Sequence, residues 1–229
     1  MVSSLIIHGI GGHGRELAGI ASAAGFTVVG FFDDAFDAGD YGFGTCLGSP
    51  EDYGDRSTPV LVGVGDPTTR ERVVDRLAGL GFAFNPPVVH PSACIGPRVE
   101  LGQGVVVGSC SSVTADSVLG EHVHLHSAVV VSHDCSIAPY SILTPRTALA
   151  GDVTLAERVF IGVGATVSRG VTIGAGAIVG AGAAVIGGAP AFFTRHAYGA
   201  EFLNNPGDAS TVTLGFNVPQ SGAYADEGA

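Results

Sequence analysis

The sequence predicts two structural units in one chain, a small α/β unit followed by a parallel β-solenoid. Three observations predict them. From Ile95, a step of six residues lands on an aliphatic side chain every time, through Leu101 and Val107 to Val179 and Val185. Four residues beyond each of these sixteen positions stands a small or β-branched residue, from Val99 and Val105 to Ala183 and Ala189. Ahead of this stretch, an apolar run, a glycine-rich turn and a helix-forming run succeed one another between Ser4 and Ala24.

A strict period of six is neither helical nor a plain strand alternation. It is the period of a solenoid in which each hexad forms one side of a triangular coil and three hexads close a turn. The aliphatic residue fills the interior, and the small residue four places on occupies the tight space near a corner. Glycine often follows the aliphatic marker, as at Gly96, Gly102, Gly108 and Gly120. These glycines are assigned to the turns, where a positive φ costs them no Cβ strain. Sixteen hexads give about five coils. Cys135 falls in an inward small slot and reads as a packed thiol.

The N-terminal elements read in order. Ser4–Gly9 forms a buried strand, Gly9–Gly14 a turn, Arg15–Ala24 a helix, and Thr27–Phe32 a second strand ending in Asp33 and Asp34. Strand, glycine-rich turn, helix and strand open a Rossmann-like unit, with the turn at a helix N-terminus suited to a polar or anionic ligand. The acidic pair lies about 20 residues past the glycines, where such folds place ligand-binding carboxylates. Glycines at 9, 11, 12 and 14 depart from GxGxxG, and a tight packing turn is the competing reading. Pro59–Gly65 reads as a third strand. Asp66 and Pro67 cap a helix from Thr68 to about Gly79, with Arg70, Arg72 and Arg76 expected to be mostly solvated. About 85 residues are too few for a full dinucleotide domain, so a mononucleotide-sized site is expected. The expected domains are residues 1–88, 89–191, and a partly disordered extension at 192–229, part of which is expected to cover the solenoid's open end.

Composition narrows the function. Net charge is −11 without a basic run, which disfavours nucleic acid and anionic membrane as partners. All ten basic residues are arginine, which excludes a Schiff-base or phosphate-loop lysine. Four cysteines form no CxxC pair, so no disulfide framework is expected. The uncharged stretch between Arg169 and Arg195 keeps the hexad register and reads as solenoid rather than as a membrane span. No secretory leader pattern opens the chain, and the cytoplasm is the expected compartment.

His122, His124, His126 and His133 fall within twelve residues of one another. None occupies an inward slot, so all four should face outward or flank a corner. His133 is followed by Asp134, and a histidine whose tautomer is held by a carboxylate can act as general base near neutral pH. A zinc site and a set of exposed histidines without a role are the competing readings.

Gly9-Ile-Gly-Gly-His-Gly14, Phe32-Asp-Asp34, Gly65-Asp66 with Arg70, His90-Pro91, Val131-Ser-His-Asp-Cys135 and Ala150-Gly-Asp-Val153 appear in that order. Together they resemble the NeuD/PglD-like sugar acyltransferases over about residues 4–191. The resemblance implies an N-terminal Rossmann-like domain, a left-handed parallel β-helix of hexapeptide repeats, and a homotrimer with active sites between neighbouring solenoids. It implies acetyl-CoA as acyl donor, a nucleotide-linked amino sugar as acceptor, and no metal. Carried over, His133 is the general base and Asp134 its orienting partner. Gly151 and Val163 match coenzyme contacts. Gly11, Gly12, His13, Asp33, Asp34 and Asp66 match nucleotide-sugar positions. His126 stands where the family often has Asn and is assigned to substrate. Ile142 replaces a second histidine found near the coenzyme in some members. Gly188-Ala-Pro-Ala-Phe192 lacks the usual lysine, leaving Arg169, Arg195 or backbone to meet the coenzyme phosphates. Transfer to another small amine or hydroxyl, and a non-catalytic sugar-nucleotide-binding trimer, remain the alternatives.

Overall fold

The structure is a computed structural model that describes residues 4–187. The expected C-terminal extension, Arg195 and the Gly188–Phe192 motif lie outside the described residues, as does the last small slot, Ala189.

The N-terminal unit contains β1 (Ser4–His8), α1 (Gly12–Ala23), β2 (Thr27–Phe32), β3 (Gly39–Asp40), β4 (Thr45–Cys46), β5 (Val60–Val62) and α2 (Pro67–Gly79). Its sheet order is β3-β4-β2-β1-β5, with β1 central and parallel to both β2 and β5. Side chains alternate across β1. Leu5 and Ile7 pack with Leu17 and Ala21 of α1. Ile6 packs with Val74 and Leu77 of α2 on the opposite face. The β3–β4 pair is antiparallel and too short to show in the sequence pattern. Helix α2 starts as read: Asp66 is its N-cap, accepting from Thr69 N at 2.8 Å, and Pro67 opens the helix.

The solenoid has seventeen strands of two residues, from β6 (Val88–Val89) to β22 (Ala184–Val185). They stack as three parallel sheets of six, five and six strands. The ladder begins one hexad ahead of Ile95. Partners are 18 residues apart, as in Ser112↔Val130 and Val113↔Val131, so three hexads make one coil. The second residue of each strand points inward, and these aliphatic residues form one continuous core with the small slots.

Polar residues in those slots are satisfied from the next coil. Ser111 Oγ donates to His126 O at 2.7 Å and accepts from Val129 N at 3.1 Å. Ser117 and Ser141 repeat the pattern. The Cys135 thiol packs the same way, donating to Ala150 O.

The glycines after the aliphatic markers do not serve as positive-φ turn residues. That conformation falls two places later and recurs every six residues, at Arg98, Cys110, Asp116, His122, Ala128 and onward to Arg158, with Gly104 in the same series. Gly96, Gly102, Gly108, Gly120 and Gly162 are required by the close approach of the next coil. A Cβ on Gly96 would lie 1.4 Å from Thr114 O.

The N-terminal unit covers the outer face of one solenoid sheet, which contains β6, β9 (Val106–Val107), β12 (His124–Leu125) and β15 (Ile142–Leu143). Val88 and Val106 join the core of α1 and β1. Arg70, expected in solvent, is fully buried at this contact. Its guanidinium donates to Val64 O at 2.7 Å and Gly65 O at 3.3 Å on its own unit. It also donates to His122 O at 3.2 Å, Tyr140 O and Ser141 O at 3.3 Å on the solenoid. A fork of five N–H donors can satisfy five carbonyls without a carboxylate partner. Burial lowers its pKa to about 9, which leaves the charge in place at neutral pH. Arg76, also expected in solvent, is partly shielded and paired with Asp34 and Glu51. Arg158 on the solenoid adds an ion pair to Glu71 of α2 at 2.8 Å. No described helix is long and apolar enough to cross a membrane.

Candidate active site

His133 and Asp134 occupy the corner between β13 (Val130–Val131) and β14 (Ser136–Ile137). Asp134 adopts φ 58°, the left-handed conformation that the solenoid's corners use at that place from Arg98 to Gly182. The resulting bend lets two neighbouring side chains meet. His133 Nδ1 and Asp134 Oδ2 are 2.6 Å apart. With Nδ1 carrying the proton to the carboxylate, Nε2 keeps a free lone pair. His133 is 48 % exposed, so that nitrogen is accessible. One coil on, Gly151 lies against the imidazole. A Cβ there would sit 2.6 Å from His133 Cε1 and 2.7 Å from Nε2. Only glycine lets the backbone of this coil pass so close to Nε2. Val163 is exposed at 51 %.

The glycine-rich turn lies elsewhere. Gly11 is the N-cap of α1 and uses no side-chain cap. Gly12 and His13 form the helix's first turn. A Cβ on Gly14 would overlap Gly9 O at 1.8 Å, so this glycine serves the packing of helix on turn. Asp33 Oδ2 accepts from Ile10 N at 3.0 Å and ties the turn to the end of β2. Asp34 makes a two-toothed pair with Arg76, at 2.6 and 2.9 Å, which holds its carboxyl below the ordinary range. Asp66 is occupied as the α2 cap.

The structure joins His13 to the histidines of the solenoid. His13 Nε2 lies 3.0 Å from His124 Nδ1. The His13 and His126 rings stack with centroids 4.8 Å apart. Glu16, one turn along α1, approaches both rings at 3.8 and 3.6 Å. These groups line a cavity of about 240 Å³ between α1 and the corners carrying His90, His126 and Pro145. Burial lowers the pKa of His13 to about 3 and lowers those of His124 and His126, so these imidazoles are neutral at neutral pH.

His122 and His124 face outward from the solenoid, as read. They are nevertheless buried, at 2 % and 1 %, because the N-terminal unit covers them. His122 stacks on Tyr140, and Phe84 meets it edge-on. Ile142 is buried on the strand beside His124, so it belongs to this contact. His124 and Glu16 were not legible as site residues. The one available signal is the i,i+3 spacing of His13 and Glu16, which shares a helix face. The cavity lining does not include His133, Asp134 or Gly151.

A hexad-repeat parallel β-helix with an outward His–Asp corner, preceded by a Rossmann-like unit, is the architecture of the hexapeptide-repeat acyltransferase class. A family model described as the PglD N-terminal domain matches residues 4–77. The solved structure of a histidine-to-alanine variant of GDP-perosamine N-acetyl transferase from Caulobacter crescentus, in complex with CoA and GDP-perosamine, is 34% identical. The match covers 81% of this chain and 89% of that one, at a TM-score of 0.74. The acetyltransferase domain of PglB from Neisseria gonorrhoeae FA1090 is 32% identical, covering 82% and 93%, at a TM-score of 0.74. Among curated proteins, the bifunctional protein GlmU of Heliobacterium modesticaldum is 31% identical over 89 residues, 35% of this chain. The chain matches only about a fifth of the length of such curated relatives, 19% of GlmU. The chain belongs to the PglD-like family of hexapeptide-repeat sugar acyltransferases, with that family's left-handed β-helix.

Proposed function

We propose that this protein is an acyl-CoA-dependent N-acyltransferase, with acetyl-CoA as donor, acting on the amino group of a nucleotide-linked amino-deoxy sugar. The observation that carries the reading is the exposed His133–Asp134 pair with Gly151 packed against its free nitrogen. A thioester brings its own leaving group, so the enzyme must align two substrates, remove a proton and stabilise an oxyanion. His133 Nε2 takes a proton from the amine as the amine nitrogen attacks the thioester carbonyl. Asp134 holds the imidazolium that forms. The tetrahedral intermediate then collapses, its C–S bond breaks, and the thiolate leaves and is protonated. Backbone on the Gly151 coil stands where an oxyanion donor is needed, with Val163 at the coenzyme. The two similar acetyltransferases support the donor, and the complex with CoA and GDP-perosamine supports a nucleotide-sugar acceptor.

The glycine-rich turn with Gly11, Gly12 and His13, the acidic residues Asp33, Asp34 and Asp66, and His126 are assigned to the acceptor. This pocket and the His133 corner are separate in one chain. A site that uses both therefore draws on two chains, which supports the homotrimer. The enzyme is placed in the cytoplasm, where acyl-CoA is made.

The test is CoA release from acetyl-CoA with a panel of nucleotide-linked 3-amino and 4-amino sugars. Turnover with one sugar, with acetamide product by mass spectrometry, is the expected result. Release only with a free amine, or only with an alcohol, would move the acceptor to another class. No turnover from the folded trimer with any acceptor would overturn the enzymatic reading.

A further inference from the structure

The cavity between α1 and the solenoid has a single carboxylate in its lining, and nothing cationic answers it. We propose that Glu16 is the specificity-determining residue of the acceptor site. Its carboxylate and His126 receive the cationic amino group of the sugar and so set which end of the acceptor enters. The inference rests on the acceptor reading above and deepens it.

Three observations carry it. The first is charge. Glu16 is the one carboxylate among the lining residues, and no arginine joins it there. Burial lowers the pKa values of His13, His124 and His126, so these rings add no positive charge at neutral pH. A diphosphate finds no cation in this cavity, whereas an ammonium finds a carboxylate. The anion's place is the N-terminus of α1, where Gly11 caps without a side chain and the helix dipole is positive. Gly12 and Glu16 are one turn apart, about 6 Å along the axis, comparable to the width of a pyranose ring. An acceptor can therefore lay its phosphates at the turn and its amino end in the cavity.

The second is spacing. Glu16 Oε2 lies 3.6 Å from His126 Nδ1, too far for the two atoms to satisfy each other. Two acceptors bridged by an ammonium at about 2.8 Å each stand about 4.6 Å apart, so the carboxylate must move outward by about 1 Å. Glu16 is 64 % exposed and free to do so.

The third is support. The His13 ring stacks on His126, and His124 Nδ1 lies 3.0 Å from His13 Nε2. The imidazole that meets the amine is thus backed by packed rings, while the carboxylate adapts. Two acceptors hold two N–H groups of the ammonium and leave the third for the base. The pairing is made in the ground state and favours the protonated amine, so its removal weakens binding without slowing the chemistry.

The experiment measures binding of GDP-, UDP- and dTDP-linked 3-amino and 4-amino deoxyhexoses to the full-length protein. Each is set beside the counterpart with a hydroxyl at the same carbon. At pH 7 the wild type should bind one amine at least about tenfold more tightly than its hydroxyl counterpart, the size of a charge-assisted hydrogen bond. The preference should fade as pH rises past about 8, where an amine of this kind loses its proton. Glu16→Gln should lose the preference while its affinity for the hydroxyl counterpart holds. In turnover, Glu16→Gln should raise KM about tenfold and leave kcat no lower. Gly19 lines the cavity, and a Cβ on it meets open space. Gly19→Leu should therefore weaken amine and hydroxyl counterparts alike. Should Glu16→Gln fail to fold, the wild-type preference and its pH profile decide. Equal wild-type affinity for both counterparts, a preference kept in Glu16→Gln, or a lowered kcat with KM unchanged would overturn the role of Glu16 and leave acyl transfer standing. No binding of any of these nucleotide sugars would overturn the acceptor reading and this inference together.

Discussion

His133 is an ordinary exposed histidine until its two neighbours are placed around it. Asp134 fixes one ring nitrogen at 2.6 Å, and the missing side chain of Gly151 leaves room beside the other. Gly151→Ala would place a Cβ 2.6 Å from Cε1 and rotate the ring off its position. A displacement near 1 Å at a reacting group costs on the order of 10²-fold in rate. The expected outcome is a fall in kcat of about that size, with a nearly unchanged melting temperature because the added methyl group meets the half-exposed His133 ring, which can swing aside. Equal falls in kcat and stability would instead make Gly151 a packing residue. The His–Asp pair was legible because both residues are adjacent in sequence and lie outside the inward slots. The His13–His124 contact was not, because 111 residues separate its partners. Nothing in a hexad pattern tells which outer face another unit will cover.

At the scale of the coil, the period-six pattern set the strands, the inward residues and the 18-residue register correctly. The role of glycine was misread. The pattern marks glycine where it recurs, and recurrence has two physical causes. Positive φ is one, and here arginine, aspartate, cysteine, histidine, alanine and tyrosine meet that demand at ten described corners. Close approach of successive coils is the other, and it explains Gly96. Gly96→Ala puts a methyl group 1.4 Å from the Thr114 carbonyl oxygen, a backbone atom that cannot swing aside. Overpacking of this kind costs about 1–3 kcal/mol or more. Denaturant melts of Gly96→Ala should show a loss at the upper end of that range. A change below about 0.5 kcal/mol, the size of an ordinary surface substitution, would contradict the account of coil packing.

Across the whole molecule, the N-terminal unit is fixed on the solenoid by a buried arginine and covers three histidines. Its sequence showed the elements other than β3 and β4, but not the contact, since Arg70 sits on a helix that reads as solvated. Burial has a consequence for acid stability. It lowers the pKa of His13 to about 3 and of His122 to about 4, and pushes those of His8 and His124 down as well. The unfolded chain binds these protons near pH 6.5, and the folded chain does not. Stability therefore rises with pH through this window; it is fully present above about 6.5 and is lost as pH falls toward 4 and 3. Each histidine contributes up to about 1.4 kcal/mol per pH unit within its window. Thermal melts should decline steadily from pH 7 to pH 5, above the range where carboxylates titrate. A flat melting temperature over that interval would contradict the buried, neutral state of the cluster. The molecule as a whole holds the His133–Asp134 pair at one corner and a polar pocket at another, and the proposed acyl transfer uses that pair as its base. The most direct measurement is kcat of His133→Ala beside the wild type, with acetyl-CoA and the accepted amino sugar, and with acetyl-CoA binding measured in parallel. The account predicts a fall of about 10²–10⁴-fold in kcat with coenzyme affinity unchanged. Undiminished turnover in the folded variant would show that His133 is not the base.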